Sequence, residues 1–286
     1  MNKKLIKYGK LFKCAGLHRV AHAVTPHENI RVTYTHEVCQ ENMTNFAQIV
    51  QYLSQVRTFI SPEQFCALYA NSRSISGRFV MMTFDDGLLS SYNAAAKVLD
   101  PLGIKAFFFI PTAILELKTE QQMRRFAAEN IHYGRRKAES LKPAEFEFMT
   151  TDHLLELTAR EHTICPHTHN HIFLSNINDE KTAQTELVEP KQILEDLLRK
   201  KINAFAFPVG TERQASSYAY QHIRKNYEFC FTAINGMNTL KTNPYCLHRD
   251  CLPPEAPLSY VKMVFESAYD LYYMVKMRRL NSLVQG

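Results

Sequence analysis

From residue 30 onward, short runs of β-branched and aromatic residues alternate with stretches whose apolar positions recur every three to four residues. The runs at 30–35, 78–84, 105–110, 161–165, 203–207, 227–232 and 245–249 predict strands, and the periodic stretches at 43–55, 62–70, 88–99, 151–159, 179–200, 216–225 and 259–277 predict helices. Strand and helix in alternation is the mark of βαβ units, and about seven of them predict a closed or nearly closed parallel barrel. In such a barrel chemistry sits where the strands end, so the residues just after each run are the ones to search.

Two segments depart from this rhythm. In residues 1–29, Leu5, Tyr8, Leu11, Phe12 and Ala15 gather on one side of a helix and Lys3, Lys7, Lys10 and Lys13 on the other. This basic amphipathic segment either closes the barrel floor or adheres to anionic lipid headgroups. The rest, 30–286, reads as one barrel domain, which 286 residues are enough to build. Residues 116–150 are longer than an ordinary connection and read as an insertion, either one wall of a substrate groove or a solvated decoration.

Charge narrows the class of partner. The chain carries +6, and residues 1–31, with seven Lys and Arg against Glu28 alone, account for the whole excess. The body is therefore no general polyanion binder, and no basic, aromatic-interleaved module predicts nucleic-acid binding. Seven cysteines without a C-x-x-C pair read as free thiols in a reducing compartment. Lys7, Lys10 and Lys13 interrupt the apolar stretch a signal peptide needs, and no run approaches the roughly 18 apolar residues that span a bilayer. The expectation is a cytoplasmic protein, held peripherally on the inner membrane by the N-terminal segment and by Lys276, Arg278 and Arg279.

Three strand ends carry candidate chemistry. The first runs from Val80 through Phe84 into Asp85, Asp86 and Gly87. Two carboxylates about 5 Å apart repel by roughly 3 kcal/mol at an effective dielectric of 20. A divalent cation offsets that repulsion, one Asp ligating it while the other takes a proton; the plain alternative is an Asp-Asp-Gly turn that caps the next helix. The second signal, His162 to His171, holds four of the chain's 12 histidines. His167 and His171, four apart, suit joint coordination of one metal, and Thr168 is placed to fix the loop through local backbone. Two His and one Asp leave a coordination position open, as catalytic zinc sites do. The third, Phe205 to Gly210, ends in Pro208-Val209-Gly210: a turn in isolation, but at a barrel rim it offers the Val209 N–H to a developing oxyanion.

Taken in order, these motifs resemble the polysaccharide deacetylases with a NodB-like domain, carbohydrate esterase family 4. T-F-D-D-G stands at residues 83–87, H-[ST]-x-x-x-H matches His167-Thr168 through His171, and R-x-P-[FY]-G is similar to Ala206 through Gly210. The likeness extends over roughly 30–255. It implies a distorted (β/α)7 barrel and hydrolysis of an acetamide on a hexosamine, with Asp85 as base, Asp86, His167 and His171 as ligands of a divalent metal, Zn2+ by preference, and Pro208 and Val209 at the oxyanion. Ala206 stands where the family has the Arg that orients the base. Leu247-His248-Arg249 departs from the family's L-x-H, leaving His248 as candidate acid and Arg249 as candidate partner for Asp85; the Trp-bearing motif is absent.

The expected substrate is an acetylated amino sugar of a polysaccharide, glycolipid or nucleotide-linked sugar in cell-surface glycan assembly. Two readings compete: an amidase or imidase acting on small non-sugar amides, and a catalytically silent saccharide-binding protein.

Overall fold

The computed structural model describes residues 28–71, 74–266 and 270–285. The amphipathic segment expected before residue 30 lies almost wholly outside the described residues. Strands and helices then alternate as the pattern predicts: β1 (Asn29–Thr35), α1 (Met43–Val56), β2 (Thr58–Phe59), α2 (Pro62–Asn71), β3 (Arg78–Phe84), α3 (Leu89–Ala94), β4 (Ala106–Ile110), α4 (Glu120–Phe126), α5 (Thr151–Ala159), β5 (Thr163–Pro166), α6 (Glu180–Ala183), α7 (Glu189–Leu198), β6 (Ala204–Ala206), α8 (Ser217–Asn226), β7 (Phe229–Phe231), β8 (Asp250–Cys251), α9 (Leu258–Phe265) and α10 (Asp270–Gln285). Asp179 and Ser216, expected to open helices, are instead their N-caps, each side chain accepting a backbone N–H from three residues on.

Among the described residues all the ladders are parallel. Six strands form one sheet in the order β5-β4-β3-β1-β8, with β2 also on β3, and β6 and β7 form a second. Leu247 bridges to Phe231 and so ties the second sheet toward β8. This is the distorted β/α arrangement of the expected fold. Two boundaries need correction. The strand expected at 245–249 touches β7 only through Leu247, and the residues that pair with β1 are Asp250 and Cys251. The last helix, expected as one piece over 259–277, is two, α9 and α10.

Strand alternation decides which side chains reach the barrel axis. The register sets Tyr34 beside Thr83 and Cys251, and Thr83 beside Phe107. Tyr34, Thr83, Asp85, Phe107, Phe109 and Arg249 therefore share the inner face. Val80, Met82, Phe84 and Phe108 face the helices; Phe84 stacks on Phe108 at 5.0 Å between ring centroids and meets Phe46 of α1 edge-on. Each of these fully buried aromatics contributes about 1.5–3 kcal/mol through burial alone.

Candidate metal centre

At the exit of β3, alternation alone would turn Asp86 away from the axis. Its φ of +71°, followed by Gly87 at +70°, swings the carboxylate back inward. Asp tolerates this left-handed region better than most residues, and glycine adopts it without strain at Gly87, where an added Cβ would also press on the tip of Ile114. The other arms are strained in the same way, with Thr168, His171 and Val209 at φ of +62°, +57° and +62°. For a β-branched residue such as Val209 this is a genuine outlier, costing about 1–3 kcal/mol, and such strain clusters at functional sites.

Asp86, His167 and His171 are all buried, and one ligand atom from each lies within 4.8 Å of the others. Asp86 Oδ1 is 3.2 Å from His171 Nε2 and 3.7 Å from His167 Nε2. Ligands at about 2.0–2.2 Å around one tetrahedral ion stand at such spacings. The imidazoles are aimed by carbonyls: His167 Nδ1 donates to Ala206 O at 2.7 Å and His171 Nδ1 to Asn130 O at 2.9 Å. A carbonyl only accepts, so each ring carries its proton on Nδ1 and turns the Nε2 lone pair inward. Asp86 Oδ1 is buried with no hydrogen-bond partner. An orphaned carboxylate oxygen facing two imidazole lone pairs is the donor set of a divalent cation, and the residues present fit one.

The His167 bond to Ala206 also crosses the seam between β5 and β6, where no ladder joins the two sheets among the described residues. The loop to His171 is not held by Thr168, as expected, because the Thr168 hydroxyl has no partner. Glu186 does that work. Its buried carboxylate accepts the His169 and Asn170 N–H groups at 3.0 and 2.9 Å and the Asn170 amide at 2.7 Å. Glu186 and Asn130 each lie in a wide π-helical turn, Gln184–Val188 and Ala127–Ile131, and such turns are frequent at functional sites. Of the remaining histidines, His162 ties β4 to Asp100 and His169 pairs with Thr112.

Beside the triad, Arg249 grips Asp85 with a two-pronged fork, 2.6 and 2.8 Å, while also donating to Thr83 Oγ1 and Thr232 O. The guanidinium is fully buried and lies against the Tyr34 and Phe109 rings. Arg249 thus faces Asp85, the position left empty by Ala206. Burial pushes the Asp85 carboxyl upward, but Arg249, helped by His167 and His36, outweighs it and holds the group below its ordinary range. Asp86 is likewise raised by burial and brought far down by His36, His171 and His167. Burial drives His167 down to about 4, only partly opposed by Asp85 and Asp86. Asp85 and Asp86 are thus held ionised, and burial favours the neutral form of the His167 imidazole beside them.

The triad and Asp85 open into a cavity of about 480 Å³. Val209 and Arg249 line it, and Pro208 sits buried behind. Ala233 N–H bonds Gly210 O, and a Cβ on Gly210 would lie 2.3 Å from that nitrogen. His248 is elsewhere. It does not line the cavity; its ring packs on Gly236 on the side of Arg31 and Asp270. Residues the sequence reading gave no role do line it: His36, and from the 116–150 segment His132, Tyr133, Arg135 and Arg136. That segment is bound to the β3 exit through Leu89 N to Glu147 O and Met149 N to Gly87 O, both 2.8 Å. Tyr133 lies 4.4 Å from Phe173 and 5.5 Å from His171 between ring centroids. The segment is a wall of the cavity.

Comparison with known proteins agrees with this geometry. The family model described as polysaccharide deacetylase matches residues 72–226, just over half of the chain, and the chain belongs to that family. A Bacillus subtilis (strain 168) relative named for a polysaccharide deacetylase, YxkH, is 22% identical over 198 residues, 68% of this chain; the chain spans 59% of the length of that relative. The fold is similar to that of the Streptococcus pyogenes deacetylase PplD in complex with acetate (TM-score 0.63, 20% identity, 82% of this chain and 98% of that one). It is similar also to IcaB from Ammonifex degensii (0.62, 20%, 84% and 97%) and to a de-N-acetylase from Aggregatibacter actinomycetemcomitans (0.63, 15%, 83% and 100%).

Proposed function

We propose that this chain is a metal-dependent hydrolase that removes N-acetyl groups from the amino sugars of a cell-surface glycan or its glycolipid or nucleotide-linked precursor. One observation carries the reading: an unpartnered buried carboxylate oxygen faces two inward-turned imidazoles, and a second carboxylate, kept ionised by a buried guanidinium, opens into the same cavity. Family membership and the resemblance to PplD and IcaB support it.

Asp86, His167 and His171 would hold the cation. Two imidazoles and a carboxylate suit zinc, and also accept cobalt, nickel or manganese. When bound, the ion supplies Lewis acidity toward the acetyl carbonyl and makes a water more acidic. Asp85 takes the proton of the attacking water, and the Arg249 fork fixes both its charge and its direction. The Val209 N–H, which bonds no protein group among the described residues, is offered to the carbonyl oxygen as charge develops. Proton delivery to the departing amine falls to His36 rather than His248, because His36 lines the cavity and acts on both Asp85 and Asp86.

Acetate release from N-acetylated hexosamine oligomers tests this. Asp85→Asn is expected to lower the rate about 10³-fold, the scale of a lost general base. Equal background release from both proteins would favour a silent saccharide-binding protein, and turnover of cyclic amides alone would favour an amidase.

Peripheral attachment at the cytoplasmic face of the inner membrane is proposed on α10, where Tyr272 and Val275 are 61% and 56% exposed next to exposed Arg278 and Arg279. No helix among the described residues is long and apolar enough to cross a membrane. Arg278→Glu with Arg279→Glu is expected to abolish sedimentation with anionic vesicles, and unchanged sedimentation would refute attachment through this face.

A further inference from the structure

Behind Tyr34 and Ala233, which line the reaction cavity, lies a second cavity of about 240 Å³ that shares those two residues as walls. Its other lining includes Thr211, Asn235, Tyr260, Tyr273 and Lys276. Four of these five lie beyond residue 226, outside the segment the family model matches. These four come from the C-terminal part of the chain, Lys276 and Tyr273 from α10.

Its chemistry is that of a saccharide subsite. Asn235 is only 6% exposed, yet its side-chain amide bonds no group among the described residues. An amide held in a mostly buried side chain at a cavity wall, with no protein partner, is available to a polar ligand. Thr211 adds a hydroxyl, and Tyr260 and Tyr273 contribute aromatic side chains to the walls. The Lys276 ammonium pairs with no carboxylate among the described residues and stands 5.3 Å from the Tyr273 ring centroid. The volume is below the roughly 300–1,000 Å³ of pockets that take whole drug-sized ligands, and so fits a single ring.

We propose that this second cavity binds the sugar residue adjoining the one presented to Asp85, and that the residue it selects carries an acidic substituent, a carboxylate or phosphoester, which Lys276 pairs. The proposal rests on the deacetylase reading above. Tyr34 lines both spaces, and the guanidinium that grips Asp85 stands 5.0 Å from its ring centroid.

The test uses zinc-loaded full-length protein and three probes: N-acetylglucosamine, a neutral N-acetylglucosamine oligomer, and an oligomer alternating N-acetylglucosamine with glucuronic acid. Lys276→Gln is expected to raise KM about tenfold for the acidic oligomer, the loss of one charge-assisted contact, with kcat and both neutral probes unchanged. Asn235→Ala is expected to raise KM for both oligomers and leave the monosaccharide unaffected. Calorimetric Kd values for the same probes, measured in an Asp85→Asn background, keep the cavity separate from the chemistry. Absence of acetate release from wild-type protein would sink the deacetylase reading while the Kd differences still decide the subsite. An equal loss on all three probes, or no change on any, overturns it.

Discussion

Two buried arginine–aspartate pairs stand back to back in this barrel. Adjacent residues at the entry to β8 serve both: Arg249 points inward to Asp85, and Asp250 points outward to Arg31. The inner pair faces a cavity, and its carboxylate, though burial pushes it up, is held below its ordinary range by Arg249. The outer pair is sealed. There Arg31 is divided between Asp250 at 3.1 Å and Asp270 at 2.7 Å, and burial, aided by Asp270, pushes Asp250 up to about 6 in spite of Arg31. An undivided two-pronged fork keeps a carboxylate ionised and aimed for chemistry, whereas a divided one clamps the start of α10 to β1. The same residue types therefore do opposite things, and accessibility to the cavity separates them.

The largest expected effect comes from breaking the sealed pair. Arg31→Met strands two carboxylates at the α10 junction and is expected to cost about 3–5 kcal/mol, measured by urea unfolding, while the folded fraction keeps its kcat. Loss of kcat at unchanged stability would show that the pairs are not separable. In the inner pair the expectation reverses. Arg249→Lys keeps the charge but cannot reproduce the planar fork, so acetate release is expected to fall about 10²-fold, and the acid limb of the pH–rate profile to move upward as Asp85 loses the two hydrogen bonds that help depress it. An unmoved acid limb would mean that the fork does not help set the Asp85 charge.

The smallest effect sharpens the comparison through His248. Burial lowers its pKa to about 4, with Asp270 opposing and Arg31 assisting. Because the folded value lies below the ordinary 6.5, the neutral ring contributes stability that is fully present above about pH 6.5 and is lost as pH falls toward 4. His248→Gln is expected to flatten unfolding midpoints across that window and to leave deacetylation unaffected. A tenfold fall in kcat would return His248 to the reaction.

Much of this was legible in the residues. The strand at 78–84 and the helix at 151–159 have the predicted bounds, since an unbroken apolar run into Asp85-Asp86-Gly87 and a Thr150 cap leave little choice. His167, His171 and Asp86 were visible because a metal needs particular donors at particular spacings, and the structure brings them together. Glu186 was not legible: a glutamate in a helical pattern reads as a solvated surface residue, and only the tertiary fold shows that it bonds two N–H groups of the histidine loop. His36, likewise, follows β1 with no spacing to another donor, and its place beside Asp86 depends on the β1–β3 register. The 245–249 strand was misplaced because Tyr-Cys-Leu reads as an apolar strand core, while the residues that pair with β1, Asp250 and Cys251, carry a charge spent on Arg31.

The most direct measurement strips the protein with a chelator and follows acetate release as Zn2+ is titrated back, in wild type and in Asp86→Asn. The account predicts no release from ion-free protein, saturation at one equivalent per chain for wild type, and no saturable recovery for Asp86→Asn. Full activity in ion-free protein, or unaltered recovery in the variant, would contradict it.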